Sequence, residues 1–206
     1  MKFLNFNKVL CLSPHPDDVE YGMLGTIIKY QDTKFHILNV SQGGDFDESS
    51  NKQRHLECKN LWETIKNLKG SFTEFKHIKS HDEDELINYI ETNYKFDYDC
   101  IMVPPFLDSH FEHKIIHNLA FPLVRRTKCG VMSYRTVSSL ESWIPNLFID
   151  IGDEYDTKKE LLDYFKSQGN KSFFNKGPLD SFHKNYQCSK RGIDFIESFE
   201  ILKIYN

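Results

Sequence analysis

Short apolar runs alternate with amphipathic segments over roughly the first 135 residues, and this alternation constrains the fold more than any other feature. Val9–Leu12 predicts a buried strand, and the apolar positions of Gly22–Tyr30 predict the helix that follows it. Further strands are expected at Phe35–Val40, Ser71–Ile78, Cys100–Val103 and Gly130–Tyr134. Helices placed between strands favour parallel pairing with right-handed crossovers, so we expect a doubly wound α/β sandwich with a mostly parallel sheet.

The other predicted elements follow from the same patterns. One face of Asn51–Leu68 is apolar, which predicts a helix, and Gly70 is expected to end it. Ser167–Tyr186 shows little periodicity and is expected to be an irregular covering segment. The remaining predictions are helices at Asp82–Tyr94, just after His113 and at Thr157–Phe165, a strand at Leu147–Ile151, and a strand or helix at Phe195–Ile204.

Size and charge narrow the class of protein. A chain of 206 residues fits one domain with a sizeable core, so we expect a single domain over 1–206. The net charge of −4 leaves no electrostatic footprint for nucleic acid. Neither a glycine-rich dinucleotide fingerprint nor a phosphate-binding loop follows the first strand, so nucleotide binding is not indicated.

Cysteine usage and the amino terminus indicate a compartment. The five cysteines are odd in number, widely spaced and never arranged as C-x-x-C, which argues against a disulfide framework and a cysteine zinc site. The first twelve residues have no continuous apolar region of the signal-peptide type. No apolar run approaches the length of a membrane span. We therefore expect a cytoplasmic protein.

The segment Pro14–Asp18 follows the first strand and carries one imidazole and two carboxylates. In open parallel sheets, ligands bind at the carboxyl ends of the strands. A catalytic zinc takes three nitrogen or oxygen ligands and leaves one position for water. His15 and Asp18 could supply two of these ligands, which would leave Asp17 as a general base. The alternative is that Asp17 and Asp18 merely cap the following helix.

A second polar loop carries two histidines. His110 and His113 follow the strand at Cys100–Val103, and their spacing lets both rings face one side if a helix starts near them. If the first and fourth strands are neighbours, this loop and Pro14–Asp18 flank the topological switch point, where two histidines and one aspartate would close on one metal. The loop Ser41–Asp45 could line the same pocket or form a plain turn.

Several motifs, in this order and spacing, resemble the LmbE-like, or PIG-L, family of zinc-dependent N-deacetylases. The segment from Pro14 to Gly25 resembles the opening signature of that family. Arg54–Glu57 resembles the Arg-x-x-Glu motif of the family, and His110–His113 resembles its His-Pro-Asp-His motif. Pro145–Ile151, together with Lys159 and Ser167-Gln168, resembles the C-terminal half of the family pattern. Ile196–Phe199 resembles its closing Glu-x-Phe motif.

The resemblance implies a Rossmann-like fold and an amide hydrolase that removes an N-acetyl group from an amino sugar of the N-acetylglucosamine type. It makes Asp17 the general base for a zinc-activated water, and protonated His110 a donor to the tetrahedral intermediate. It also implies that Arg54 binds a polar group of the substrate, such as a sugar hydroxyl. The implied zinc ligands are His15, Asp18 and His113, a set that would also suit iron(II).

The chain departs from the family pattern at two places. Phe111 and Glu112 stand where proline and aspartate are usual, so a contact from the family's acid must be made by a longer side chain. The segment Ser41–Gly44 lacks the acidic residue often found after its first glycine, which indicates an altered substrate preference. Two alternatives to a deacetylase stay open, an amidohydrolase for formyl or longer acyl groups and a metal-binding scaffold without turnover. Separately, the chain could form a homo-oligomer.

Overall fold

The computed structural model describes residues 1–43, 48–185 and 189–205, with 48–50 and 189 described by backbone alone. The strands are β1 (Lys8–Ser13), β2 (Lys34–Asn39), β3 (Leu68–Phe72), β4 (Cys100–Val103), β5 (Gly130–Tyr134), β6 (Leu147–Asp150) and β7 (Ile196–Lys203). The α-helices are α1 (Asp18–Lys29), α2 (Glu48–Trp62), α3 (Glu83–Asn93), α4 (Phe111–Val124), α5 (Tyr155–Leu162) and α6 (Lys176–His183).

One mixed sheet contains all of these strands, in the order β3-β2-β1-β4-β5-β7-β6. The strands from β1 to β5 are parallel, whereas β7 runs antiparallel to both β5 and β6. The predicted Rossmann-like α/β fold with a mostly parallel sheet is therefore confirmed. β1 pairs with β4, so the condition under which the two polar loops flank one point is met.

The core lies on both faces of the sheet. Successive side chains of a strand point to opposite faces. In β1, Val9 and Cys11 accordingly belong to one buried cluster and Leu10 and Leu12 to the other. Both faces are covered by helices, which explains why the central strands read as continuous apolar runs and not as alternating ones.

Gly70 does not end a helix. The helix α2 stops at Trp62, and Gly70 lies within β3. A Cβ atom at Gly70 would come within 2.0 Å of the Trp62 ring. The glycine therefore makes room for the indole against the strand, and the prediction of one helix from Asn51 to Leu68 was wrong at its C-terminal end.

The predicted covering segment is more regular than expected, since it contains α6 and two short 3-10 turns. Tyr186 at its end lies outside the described residues, as do Gly44 and Asp45 of the loop after β2 and Cys188. The four described cysteines are buried and free. Among the described helices, none combines the length and apolar character needed to cross a membrane.

Candidate metal centre

The two predicted polar clusters meet at the carboxyl ends of β1 and β4. His15 lies in the turn between β1 and α1, while His110 and His113 lie at the start of α4. The His15 ring centroid is 4.8 Å from that of His110 and 5.5 Å from that of His113. One ring nitrogen from each histidine lies within 4.8 Å of the others, so this three-histidine group could hold a metal ion.

Asp18 adds an oxygen between two of these rings. Its Oδ2 atom lies 3.2 Å from His15 Nδ1 and 3.3 Å from His113 Nε2. Two ligand atoms that are each about 2.0 Å from a tetrahedral zinc lie roughly 3.3 Å apart. Both spacings therefore lie in the range expected for pairs of ligand atoms on one metal ion.

Each of these two histidines also contacts a carboxylate through its other ring nitrogen. Glu112 Oε2 lies 2.6 Å from His15 Nε2, and Asp108 Oδ2 lies 3.0 Å from His113 Nδ1. Histidines that bind metals almost always donate their second N–H to such a group, which sets the tautomer and the ring orientation. The two outer carboxylates thus turn His15 Nδ1 and His113 Nε2 toward Asp18.

Glu112 makes its contact despite being longer than the usual aspartate. Its second oxygen, Oε1, accepts a hydrogen bond of 3.1 Å from the backbone N–H of Lys79. Burial raises the pKa of Glu112, but the hydrogen bonds from His15 and Lys79 outweigh it and bring the pKa to about 2. The longer side chain is therefore accommodated as an ionised acceptor anchored at both oxygens.

Asp108 was missed by sequence reasoning. It is fully buried, and it accepts hydrogen bonds from the Thr136 hydroxyl and, at 2.7 Å, from the backbone N–H of His110. Its position two residues before His110, in the loop after a buried strand, is the signal that could have identified it. Ser138 reaches the same cluster, with its Oγ 3.3 Å from His113 Nδ1.

The charges of the site favour a bound cation. Burial lowers the pKa of His113, but the charges and hydrogen bonds of Asp18 and Asp108 outweigh it and raise the pKa to about 10. Burial raises the pKa of Asp18, yet the net shift is well downward because His113 and His15 stabilise the carboxylate. Without a metal, the carboxylates of Asp18 and Asp108 thus hold a proton on His113, and a metal that binds this ring must displace that proton.

Asp17 is held in a strained backbone conformation. Its φ angle is 102°, in the left-handed region that residues other than glycine seldom adopt. Although it occupies the N-cap position of α1, its side chain makes no capping hydrogen bond within the described structure. The pKa of Asp17 is raised, because burial and the charge of Asp18 raise it by more than the charge of Arg54 lowers it. A raised pKa suits a general base that works near neutral pH.

Arg54 lies inside the protein and contacts Asp17. Its Nη2 atom donates to Asp17 Oδ2 at 3.1 Å and to the Pro16 carbonyl at 2.7 Å, and its Nη1 atom donates to the Gly43 carbonyl at 3.0 Å. The side chain is 3% exposed. This placement orients Asp17, and the sugar contact implied by the resemblance stays a prediction.

His110 differs from the other two histidines in its environment. It is exposed, its ring stacks on His113 with centroids 4.6 Å apart, and among the described residues its ring nitrogens have no hydrogen-bond partner. Burial of part of the ring and the positive charges of His15 and His113 lower the pKa of His110. The environment therefore favours a neutral imidazole, which still donates one N–H.

Solved structures of several proteins share this fold. The N,N'-diacetylchitobiose deacetylase of Pyrococcus horikoshii matches with a TM-score of 0.76 and 21% identity, over 98% of this chain and 85% of that one. GalB of Pseudomonas putida KT2440, a 4-carboxy-2-hydroxymuconate hydratase, matches with a TM-score of 0.76 and 15% identity, over 100% and 98%. A deacetylase of teicoplanin biosynthesis matches with a TM-score of 0.71 and 12% identity, over 93% and 96%. Since one of these is a hydratase, fold alone does not assign the reaction.

The sequence itself matches a family model. The model describes PIG-L, a GlcNAc-PI de-N-acetylase, and it matches residues 10–124, more than half of the chain. The matched range contains most of β1 and all of α1, β4 and α4, and so every histidine of the three-histidine group. The chain therefore belongs to the PIG-L, or LmbE-like, family of de-N-acetylases.

Proposed function

We propose that this protein is a metal-dependent hydrolase that removes an N-acetyl group from an amino sugar or sugar conjugate of the N-acetylglucosamine type. The observation that carries the proposal is the pairing of His15 and His113 with outer carboxylates, which turns one nitrogen of each ring toward Asp18 Oδ2 at 3.2 and 3.3 Å. That arrangement is typical of a metal site and not of a surface histidine cluster.

In this proposal His15, Asp18 and His113 hold the metal. Zinc in such a site lowers the pKa of a bound water toward ~7 and polarises a carbonyl group. We assign His110 to substrate contact and not to metal binding, because in the described part of the chain it lacks the carboxylate partner that His15 and His113 have. A set formed by His15, His110 and His113 is the other ligand set that the geometry offers.

Asp17 is the proposed general base. Its buried carboxylate has a raised pKa, and Arg54 fixes its orientation through the bond to Oδ2. Asp17 takes the proton of the attacking water and passes it to the leaving amine, which completes the hydrolysis. His110 donates its N–H to the oxygen on which negative charge develops, and it does so as a neutral imidazole.

Acetate release from a panel of N-acetylglucosamine conjugates tests the proposal, with formylated and longer acyl amides in the same panel. Metal should be added in stoichiometric amounts, since one structure of teicoplanin deacetylase, 12% identical to this chain, is of a zinc-inhibited form. Activity should disappear with a chelator and return with zinc or iron(II). Turnover of the formyl or longer acyl amides alone would replace the acetyl assignment.

The variant Asp17→Asn separates catalysis from metal binding. Removing the base should lower kcat by at least 100-fold, while the zinc content stays at the wild-type level. Asp163→Asn, an exposed change of the same kind near the end of α5, is the matched control and should be active. Undiminished activity in Asp17→Asn would exclude Asp17 as the base, and no turnover by the wild type with zinc bound would favour a non-catalytic scaffold.

A further inference from the structure

The helix α1 is interrupted one turn after the metal-binding residue Asp18. Met23 has φ −146° and ψ 18°, which are not helical values. In a regular α-helix the N–H of Gly25 would donate to the carbonyl of Tyr21, four residues earlier. An interruption at Met23 leaves these two groups in need of other partners, because buried backbone polar groups must be hydrogen-bonded.

A buried ion pair forms hydrogen bonds with both the Tyr21 carbonyl and the Gly25 N–H. Lys158 Nζ donates to the Tyr21 carbonyl at 2.6 Å, and Glu197 accepts from the N–H groups of Gly25 and Thr26 at 2.8 and 2.6 Å. Lys158 and Glu197 are themselves joined at 2.6 Å. The ion pair therefore bridges the two halves of α1 where the helix lacks regular geometry.

The hydrogen bonds of the lysine in this pair are complete. Besides Tyr21 and Glu197, Lys158 Nζ contacts His183 Nε2 at 2.9 Å, while His183 Nδ1 donates to the Ile196 carbonyl at 3.0 Å. An ammonium group has three N–H donors, and all three have acceptors here. Both side chains of the ion pair are 0% exposed. Such a pair tolerates the loss of neither partner, because the remaining charge would be buried alone.

A short chain of hydrogen bonds links this pair to the metal-binding turn. The carbonyl of Tyr21 accepts a hydrogen bond from Lys158, and the backbone N–H of Tyr21 donates to the Asp17 carbonyl at 2.8 Å. Asp17 is the residue with the strained φ of 102°. A strained conformation persists only where the surrounding structure holds it. Arg54 holds Asp17 from its side-chain end, and Lys158 holds it through the first turn of α1.

We propose that Lys158 and Glu197 are positioning residues for the turn that carries Asp17 and Asp18. They act on the site through the backbone of α1 and do not touch the substrate or the metal. The inference rests on the proposed metal site, and it identifies Lys158 as the lysine of α5 that matters. Its neighbour Lys159 is paired with the exposed carboxylate of Asp156 at 2.7 Å.

Zinc affinity tests the inference without a substrate. The variants are Glu197→Gln, which keeps one oxygen acceptor and lets Lys158 become neutral, and Lys158→Met with Glu197→Met, which removes both charges together. Paired apolar replacement of a buried ion pair is often tolerated by the fold. The matched control is Glu154→Gln, which removes a 3.6 Å ion pair with Lys29 at the other end of α1. The readouts are zinc Kd by competition with a chromophoric chelator, the absorption spectrum of the cobalt(II) form, and Tm of the metal-free protein.

We expect zinc Kd to rise about tenfold in the Glu197→Gln and double variants, with a changed cobalt(II) spectrum, and to stay at the wild-type value in the control. For a deacetylating wild type, kcat should fall more than KM rises. A zinc Kd within twofold of wild type in folded variants, whatever their Tm, would overturn the inference, and failure of every variant to fold would reduce the pair to a structural role. A wild-type protein that binds no zinc would instead refute the proposed metal site.

Discussion

Replacing Asp108 by asparagine should weaken zinc binding by 10- to 100-fold without unfolding the protein. The carboxylate has one oxygen toward His113 Nδ1 at 3.0 Å and the other toward the His110 backbone N–H at 2.7 Å. An asparagine of the same shape has only one oxygen, so its NH₂ group must face one of these two donors. If it faces His113, the ring must accept at Nδ1 and carry its proton on Nε2, the nitrogen turned toward Asp18.

The expected magnitude follows from that tautomer change. Metal binding through Nε2 requires the ring proton on Nδ1, where it would face the asparagine NH₂ group and not an acceptor. Loss of such outer partners typically costs 10- to 100-fold in affinity, or about 1.4–2.8 kcal/mol. Because Asp108 is fully buried and its replacement is isosteric, the cost should appear mainly in metal binding.

Competition with a chromophoric chelator measures the zinc Kd of Asp108→Asn and of wild type, and Tm of the metal-free proteins reports folding. Asp180→Asn, which alters the hydrogen bond from Tyr155 to Asp180 away from the site, is the matched control. A zinc Kd for Asp108→Asn within twofold of the wild-type value would refute the reasoning about the tautomer.

Two further predictions concern stability. Burial, followed by the charge of Lys69, lowers the pKa of His36 from 6.5 to about 4 in the folded protein, so the unfolded chain takes up a proton first as the pH falls. The unfolding free energy should therefore fall by about 3 kcal/mol between pH 6.5 and 4. Urea titrations of His36→Gln should show a smaller fall over this pH range. An equal fall in the variant and the wild type would argue against His36 as its origin. Gly70→Ala should lower the unfolding free energy by about 1–3 kcal/mol, because its Cβ would meet the Trp62 ring at 2.0 Å. Gly177→Ala, where nothing lies within 4 Å, should be neutral or slightly stabilising, and equal unfolding free energies for the two variants would exclude the clash.

The central strands were predictable, whereas the strand predicted at Ser71–Ile78 was wrong at both ends, since β3 spans Leu68–Phe72. Cys100–Val103 and Gly130–Tyr134 were predicted with the bounds that β4 and β5 have, because short apolar runs between polar residues suit buried parallel strands. The end of α2 was predicted wrongly. A glycine after an amphipathic run normally marks a helix end, but here packing of Trp62 against β3 requires it.

Sequence alone determined which residue types could meet at one sheet edge. His15 and Asp18 follow β1, His110 and His113 follow β4, and the apolar runs before them predict neighbouring parallel strands, so local spacing was sufficient to expect the cluster. The family resemblance added the proposed roles, which are still to be tested by experiment.

Tertiary structure decided which groups orient and support that cluster. Glu112 reaches His15 across 97 positions of sequence, and Glu197 reaches Gly25 across 172, distances over which no local pattern is informative. The same holds for Lys158, which is buried while its neighbour Lys159 is at the surface. Which of two adjacent lysines is buried depends on how α5 packs against α1 and β7, and that packing exists only once the whole sheet has formed.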